Sequence, residues 1–289
     1  MRIAGTWDPK EFTSEKEAAG RAALLAAYEA GYTLFDHADI YGRGLCEEIH
    51  GRLLKDTPSL RTQTQIATKC GIRWDEGQHR YDFSREHILA SCDESLRRLN
   101  IDTIDLYQLH RPDLLMDPAE IAEAFDALHR SGKVRWFGVS NFSPSFVRTL
   151  QSGLAAPLIV NQVEIHLGRL DCFVDGTLDQ CIAEGITPLS WSPLGGGWLG
   201  DGGTVREDDP HREGKQSLLR VLDEVATDHG ASRTVVALAW LLKHPSRIIP
   251  IVGSTRPEKI RDAVRADALE LSRVEWYRIL VAARMQPLP

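Results

Sequence analysis

The sequence predicts an α/β protein, a single (β/α)8 barrel domain with eight parallel strands spanning residues 1–289. Three observations carry this. Short runs rich in β-branched or large apolar residues alternate with segments of helical periodicity along the whole chain. No composition break or long linker divides the 289 residues, and one such barrel commonly takes ~250. A hydrophobic share of 43% with 26% charged residues is that of a packed globular chain, so a sizeable core is available.

The elements follow in order along the chain. Ile3–Thr6 is the candidate first strand. Ser14-x-x-Glu17 reads as a capping box opening a helix with an apolar stripe of Ala18, Ala22, Leu25 and Ala26 that stops near Gly31. Thr33–Phe35 and Gln65–Thr68 are the next strands. Ser84 caps a helix carrying Ile88, Cys92, Leu96 and Leu99, which leads into the strand Ile104–Leu109. Pro118 stands near the start of a helix that ends at Gly132. Trp136–Val139 and Leu158–Val163 are strands, with Ser143-Pro144 opening the helix between them. Ile186–Trp191 comes next, and residues 195–214, rich in Gly and Asp, read as a mobile loop. Ser232 opens a helix, Arg247–Val252 is the last strand, and Ser272-x-x-Glu275 caps the closing helix.

Lys and Arg number 34 against 41 Asp and Glu, a net charge of −7. That balance argues against nucleic acid or an anionic membrane as partner. Cys46, Cys70, Cys92, Cys172 and Cys181 are widely spaced and form no Cys-x-x-Cys, so neither a disulfide framework nor a zinc site is expected. A reducing, cytoplasmic setting fits such cysteines. No run approaches the ~18 apolar residues of a membrane span, and the first residues lack the apolar stretch of a signal peptide. The sequence sets no oligomeric state.

In a parallel βα barrel the functional residues gather where strands end. Those junctions carry Asp36-His37-Ala38-Asp39-Ile40-Tyr41-Gly42, Lys69-Cys70-Gly71 and His110-Arg111, then Ser140-Asn141, Asn161-Gln162-Val163-Glu164, Trp191-Ser192-Pro193-Leu194 and Gly253-Ser254-Thr255-Arg256. Four of these residues make a chemical set. A tyrosine hydroxyl, with a pKa near ~10, gives up its proton reluctantly at neutral pH. A neighbouring ammonium lowers that pKa, and a carboxylate holds the ammonium charged and in place. Tyr41, Lys69 and Asp36 supply these roles, and His110 offers a hydrogen bond to a carbonyl oxygen. Together they polarise and protonate a C=O and need a hydride from elsewhere.

These residues resemble the aldo-keto reductase superfamily, in its bacterial branch of general oxidoreductases. Phe35–Gly42 is similar to the family signature D-x-A-x-x-Y-G. Gly132–Phe142, Asn161–Glu164 and Ile249–Ser254 follow in the family's order. The resemblance implies a TIM barrel that reduces aldehydes or ketones with NADP(H), NAD(H) being the alternative, and has a small-molecule carbonyl as its partner. Carried over by position, Tyr41 is the proton donor, Lys69 and Asp36 tune it, and His110 orients the carbonyl. Ser140, Asn141 and Gln162 would hold the nicotinamide carboxamide and Trp191 its ring. Ser192, Pro193 and Leu194 would line the pyrophosphate channel, with Gly5, Thr6, Trp7 and Gly253 completing the cofactor set. Ser254, Arg256 and Lys259 fall where the family grips the adenosine 2′-phosphate; a hydroxyl with two cations suits a dianion.

The sequence departs from the family pattern in places. Ala263 stands where many relatives have Asn, and Ile165 replaces a common Tyr. Too few residues precede Gly5 for the hairpin that usually closes the barrel bottom. Trp7, Trp74 and the loops 71–83 and 195–214 would line the substrate pocket, favouring an apolar or aromatic carbonyl.

Two rival functions carry sequence support. His37 and Asp39 beside Asp36 suggest a metal-dependent barrel hydrolase, although the other strand ends offer Lys69, Asn141 and Trp191 rather than ligands. A barrel that retains cofactor without efficient turnover would be a redox sensor. Gly195–Gly200 formally satisfies G-x-G-x-x-G, but it leads into Asp201-Gly202-Gly203, a poor helix start, so a loop is expected in place of a Rossmann turn.

Overall fold

The computed structural model describes residues 3–75 and 77–288. The chain packs as two compact units: one runs through Gln162 and takes back Gly253–Ile260, and the other takes Val163–Val252 and the residues from Arg261 onward.

The first unit runs α1 (Ser14–Glu29), β1 (Leu34–Asp36), α2 (Leu45–Asp56), α3 (Ser59–Gln63), β2 (Gln65–Cys70), β3 (Ile72–Asp75) and β4 (Gln78–Tyr81). It continues with α4 (Arg85–Leu99), β5 (Ile104–Leu109), α5 (Pro118–Arg130), β6 (Val134–Ser140), α6 (Pro144–Gln151) and residues 158–162 of β7 (Leu158–Glu164). β1, β2, β5, β6 and β7 pair side by side in that order, every pair parallel. All six residues of β5 are buried, as a parallel strand covered on both faces requires. Ile3, Leu24, Phe35, Ile49, Leu53 and Ile66 belong to this unit's core.

Several helix starts follow the sequence signals. The Ser84 and Ser143 side chains each accept a backbone N–H three residues on, at 3.4 Å, and Pro118 and Pro144 occupy the first helical turn. The cap of α1 lies one residue earlier than Ser14. Thr13 accepts from the Lys16 N–H, while Glu17 is drawn into a 2.7 Å ion pair with Arg52 on α2.

Two local expectations are corrected. Ile3–Thr6 forms a turn, not a strand. Gly5 takes φ +66°, which breaks an extended run, and the Ile3 carbonyl lies against Gly20 of α1, where a Cβ would stand 2.4 Å from its oxygen. The loop expected at 71–83 contains the antiparallel hairpin β3–β4. It was not legible because Gln78-His79-Arg80-Tyr81 is exposed throughout and shows no apolar alternation.

The second unit holds α7 (Thr177–Glu184), β8 (Thr187–Trp191), α8 (Arg212–Asp228), α9 (Arg233–Leu242) and β9 (Ile249–Pro250), with α10 (Pro257–Ala263) entering it and α11 (Arg273–Arg284) closing it. β8 and β9 are parallel. The strand expected over Arg247–Val252 shrinks to β9, since Pro250 has no N–H to donate and Arg247 adopts φ +59°. Val163, Leu218, Leu222, Val236, Trp240 and Ile279 pack together at its core.

Residues 195–211 form a loop of turns and irregular backbone, as expected, and Arg212 opens α8. Gly195–Gly197 form a 3-10 turn. The Asp201 carboxylate accepts from the Arg233 N–H at 3.0 Å, and the Arg233 guanidinium donates to the Gly203 carbonyl at 3.1 Å. The glycine run does not open a helix, as expected for a loop.

The capping box on α11 is complete. Ser272 Oγ accepts from the Glu275 N–H at 3.2 Å, and the Glu275 carboxylate accepts from the Ser272 N–H at 2.7 Å. Ser272→Ala is expected to cost about 1 kcal/mol in urea denaturation. The Ser272 side chain and backbone, then His229, hold the Glu275 carboxyl down at about 2, against an ordinary 4.5. The folded pKa is depressed, so this stabilisation is full above the ordinary value and is lost as pH falls towards 2.

Candidate active site

Parallel pairing sets the strand ends of the first unit side by side. Asp36 closes β1, Lys69 stands one residue before the end of β2, and His110 follows β5. Lys69 Nζ donates to both Asp36 oxygens and to the His37 carbonyl, each at 2.7 Å. Its side chain is only 1% exposed, and a buried ammonium persists only when paired and hydrogen-bonded in this way. Burial opposes the charge, but Asp36 and Tyr41 outweigh it and hold the Lys69 pKa above its ordinary value.

Tyr41 lies in the turn after β1. Its ring meets Trp7 edge-on at 6.2 Å and His110 edge-on at 5.7 Å, and the Lys69 ammonium stands 5.3 Å from its centroid. The expected lowering of the Tyr41 pKa is corrected. Burial raises it, Lys69 and Arg111 pull it down, and Asp36 pushes it up, so the hydroxyl keeps its proton above the ordinary value. Burial, with Lys69 and Arg111 nearby, drives the His110 pKa well below the usual range. His110 is therefore neutral and has one ring N–H to donate, and its buried Nδ1 has no partner.

Ser140, Asn141 and Gln162 join this cluster. Ser140 Oγ donates to the Gln162 carbonyl at 2.8 Å, and Asn141 Nδ2 donates to Ser140 Oγ at 2.8 Å. Asn141 adopts φ +62°, a conformation uncommon for residues other than glycine and frequent at functional sites. Gln162 Nε2 donates to Asp36 Oδ2 at 3.0 Å, while its Oε1 is buried without a partner. That orphaned acceptor suits the N–H of a carboxamide, so these residues fit a nicotinamide.

The other sequence-selected residues are placed as follows. Gly5, Thr6 and Trp7 form the turn that brings Trp7 onto Tyr41. Gly253, Ser254, Arg256 and Lys259 lie in the returning segment of the first unit. Ser254 Oγ accepts from the Arg256 N–H at 3.2 Å, and the Arg256 side chain is 61% exposed, 3.8 Å from Glu258. Trp191, Ser192, Pro193 and Leu194 belong to the second unit, at the end of β8. Ser192 has φ +51°, and its carbonyl accepts from the Gly195 N–H at 2.7 Å. Trp74 rides on the β3–β4 hairpin, exposed beside His79.

Two residues of this neighbourhood carry no role in the sequence reading, Gln108 and, although it stands at a marked strand end, Arg111. Gln108 of β5 donates from Nε2 to Asp36 Oδ1 at 3.4 Å, and Arg111 acts on both Tyr41 and His110. A glutamine inside the buried run Ile104-Asp105-Leu106-Tyr107-Gln108-Leu109 was the available signal for the first. His37 turns away from Asp36: its Nε2 lies 2.8 Å from His50 Nδ1. Burial keeps both rings neutral, His50 with a pKa near 3. Asp39 is pushed up to about 7 by burial and by Glu47. Among the described residues, no group of three or more His, Cys, Asp or Glu side chains is arranged to hold a metal ion, and no helix is long and apolar enough to cross a membrane.

Comparison with known proteins adds the family. The family model described as aldo/keto reductase matches residues 1–282. The chain belongs to the aldo/keto reductase family. This aldo/keto reductase is 43% identical to the uncharacterized oxidoreductase YcsN of Bacillus subtilis, over 99% of its length and 95% of the relative's. It is 42% identical to a 6-dehydroglucose reductase of Novosphingobium aromaticivorans, over 91% of this chain and 85% of that one. Among solved structures, the glycerol dehydrogenase of Gluconobacter oxydans superposes with a TM-score of 0.84 at 26% identity, covering 99% of this chain and 91% of the other. The thermostable aldo-keto reductase Tm1743, solved with the inhibitor epalrestat, gives 0.81 at 28% identity, covering 97% and 92%. The fold is the (β/α)8 barrel of these reductases, and the chain is an oxidoreductase of the carbonyl–alcohol class.

Proposed function

We propose that this aldo/keto reductase works as one domain over residues 1–289 and reduces aldehydes or ketones to alcohols with NADPH, Tyr41 supplying the proton. The carrying observation is the Lys69 ammonium, buried against both oxygens of Asp36 and acting on the Tyr41 hydroxyl. Bound at this site, the reduced nicotinamide supplies the hydride for the carbonyl carbon. Tyr41 and the neutral His110 ring present hydrogen-bond donors to the carbonyl oxygen, where negative charge develops. As that charge grows, the Tyr41 proton moves to the oxygen, and Lys69 stabilises the tyrosinate left behind. Asp36 keeps the ammonium in place. Ser140, Asn141 and Gln162 hold the carboxamide end of the cofactor.

Trp7, set edge-on against Tyr41, gives the carbonyl an apolar or aromatic face to lie on. Two relatives, 42% and 37% identical, are named 6-dehydroglucose reductases, so the test panel includes keto-sugars beside aromatic and aliphatic aldehydes. Consumption of NADPH with any of these, and formation of the alcohol, is the expected result. Cofactor binding without turnover across the panel would favour the redox-sensor reading.

NADPH preference rests on Ser254, Arg256 and Lys259. Arg256→Ala is expected to weaken NADPH binding about tenfold, the loss of one charge-assisted contact to phosphate, and to leave NADH binding within about twofold. Fluorescence titration with both cofactors reads it; equal losses for the two would remove Arg256 from the phosphate site.

A further inference from the structure

Asp36 carries more donors than a simple ion pair needs. Lys69 Nζ occupies both carboxylate oxygens at 2.7 Å. Gln162 Nε2 reaches Oδ2 at 3.0 Å from β7, and Gln108 Nε2 approaches Oδ1 at 3.4 Å from β5. Both glutamines are buried, with 2% and 0% exposure. Both turn their N–H groups to Asp36 and leave Oε1 buried without a partner. An unsatisfied buried amide oxygen is costly, and two with the same orientation around one carboxylate ask for a reason.

We propose that Gln108 and Gln162 form an amide clamp on the Asp36 carboxylate, in which Gln108 is a positioning residue for the Tyr41 acid and Gln162 lets an occupied carboxamide pocket act on that acid. The proposal rests on the carbonyl-reductase reading of the site.

Shared charge couples the two amides to the acid. Each amide N–H on Asp36 takes up part of its negative charge, so Lys69 is neutralised less. Tyr41 feels Asp36 as a destabiliser of its anion and Lys69 and Arg111 as stabilisers, while His110 stays neutral beside it. Withdrawing Asp36's charge therefore strengthens the acid. Hydrogen bonds in a chain polarise one another. An N–H donated to Gln162 Oε1 would strengthen the bond from Gln162 Nε2 to Asp36, making Tyr41 more acidic when the carboxamide is in place. Gln108 makes the same contact from a strand position assigned no cofactor contact, so its effect is constant.

The test reads Tyr41 directly. Protein labelled with 13C at tyrosine Cζ, its Tyr41 signal assigned by Tyr41→Phe, is titrated by NMR without cofactor and with NADP+. In Gln108→Met the Tyr41 pKa is expected to rise by about half a pH unit, a threefold weaker acid, in both states. NADPH affinity should stay within about twofold, and the alkaline limb of kcat should move up by the same amount. NADP+ is expected to lower the Tyr41 pKa in the native protein and to lower it less in Gln162→Met, where only the positive charge of the ring acts on the hydroxyl, and cofactor affinity should fall. An unmoved Tyr41 signal in a folded Gln108→Met protein, or in Gln108→Leu should the first not fold, would overturn the clamp. So would a native protein whose Tyr41 titrates identically with and without NADP+. Loss of kcat with an unshifted pH profile would leave Gln108 as packing and overturn the proposal too. Undiminished turnover in Tyr41→Phe would sink the reductase reading itself, a separate outcome from any of these.

Discussion

Tyr41→Phe is expected to lower kcat for carbonyl reduction by about 10²- to 10⁴-fold, the range for removing a positioned general acid. The change deletes one oxygen. It leaves the ring between Trp7 and His110 and removes the hydroxyl's hydrogen bond with Lys69, whose ammonium keeps both Asp36 oxygens and the His37 carbonyl, so stability and NADPH affinity should be near native. Lys69→Met is expected to lose as much activity for another reason. It leaves the Asp36 carboxylate buried with only the Gln108 and Gln162 amides, and an uncompensated buried charge of this kind costs about 3–5 kcal/mol. The two variants therefore separate chemistry from scaffold: Tyr41→Phe inactive and stable, Lys69→Met inactive and destabilised. Stopped-flow measurement of the reduction step with a deuterated cofactor checks the first. Native turnover in Tyr41→Phe would remove Tyr41 from the reaction.

The parallel strands and their junctions were legible because buried β-branched runs and capping residues are local signals. Asp36, Tyr41, Lys69 and His110 fall at strand ends that sequence spacing already marked, and pairing of β1, β2 and β5 then brings them together. The direction of the Tyr41 pKa was not legible. A neighbouring ammonium can be guessed from sequence, whereas the burial that outweighs it is a property of the packed site. The β3–β4 hairpin is not legible because β4, Gln78-His79-Arg80-Tyr81, is exposed throughout and shows no apolar alternation, and the turn at Ile3–Thr6 is not legible because the close approach of Gly20 is tertiary. Asp201 and Arg233 lie 32 residues apart, so the contact that ties the 195–211 loop to α9 is not visible in composition. His37 beside Asp36 and Asp39 reads as a metal ligand in sequence, and only the fold shows it bonded to His50, thirteen positions away.

Trp240→Ala is expected to be the most destabilising change in the second unit, by about 3–5 kcal/mol, the usual cost of truncating a large buried aromatic. Trp240 of α9 is fully buried and lies flat on Trp276 of α11, ring centroids 4.8 Å apart and planes within 8°. The two indoles also clasp reciprocally. Trp240 Nε1 donates to the Trp276 carbonyl at 3.1 Å, and Trp276 Nε1 donates to the Trp240 carbonyl at 3.0 Å. A stacked pair contributes about 0.5–1.5 kcal/mol beyond its buried area, and each hydrogen bond about 1. Trp240→Phe separates these contributions: it retains most of the apolar area and loses one hydrogen bond, so about 1–2 kcal/mol is expected. Trp276→Phe removes the opposite bond by the same logic. Because the residues are in direct contact, the double variant should cost less than the sum of the two singles. Urea denaturation of the four proteins, followed by circular dichroism, measures the cycle. Strict additivity would mean that α9 and α11 are held by independent contacts, and a loss under 1 kcal/mol in Trp240→Ala would mean that the surrounding core closes over the cavity.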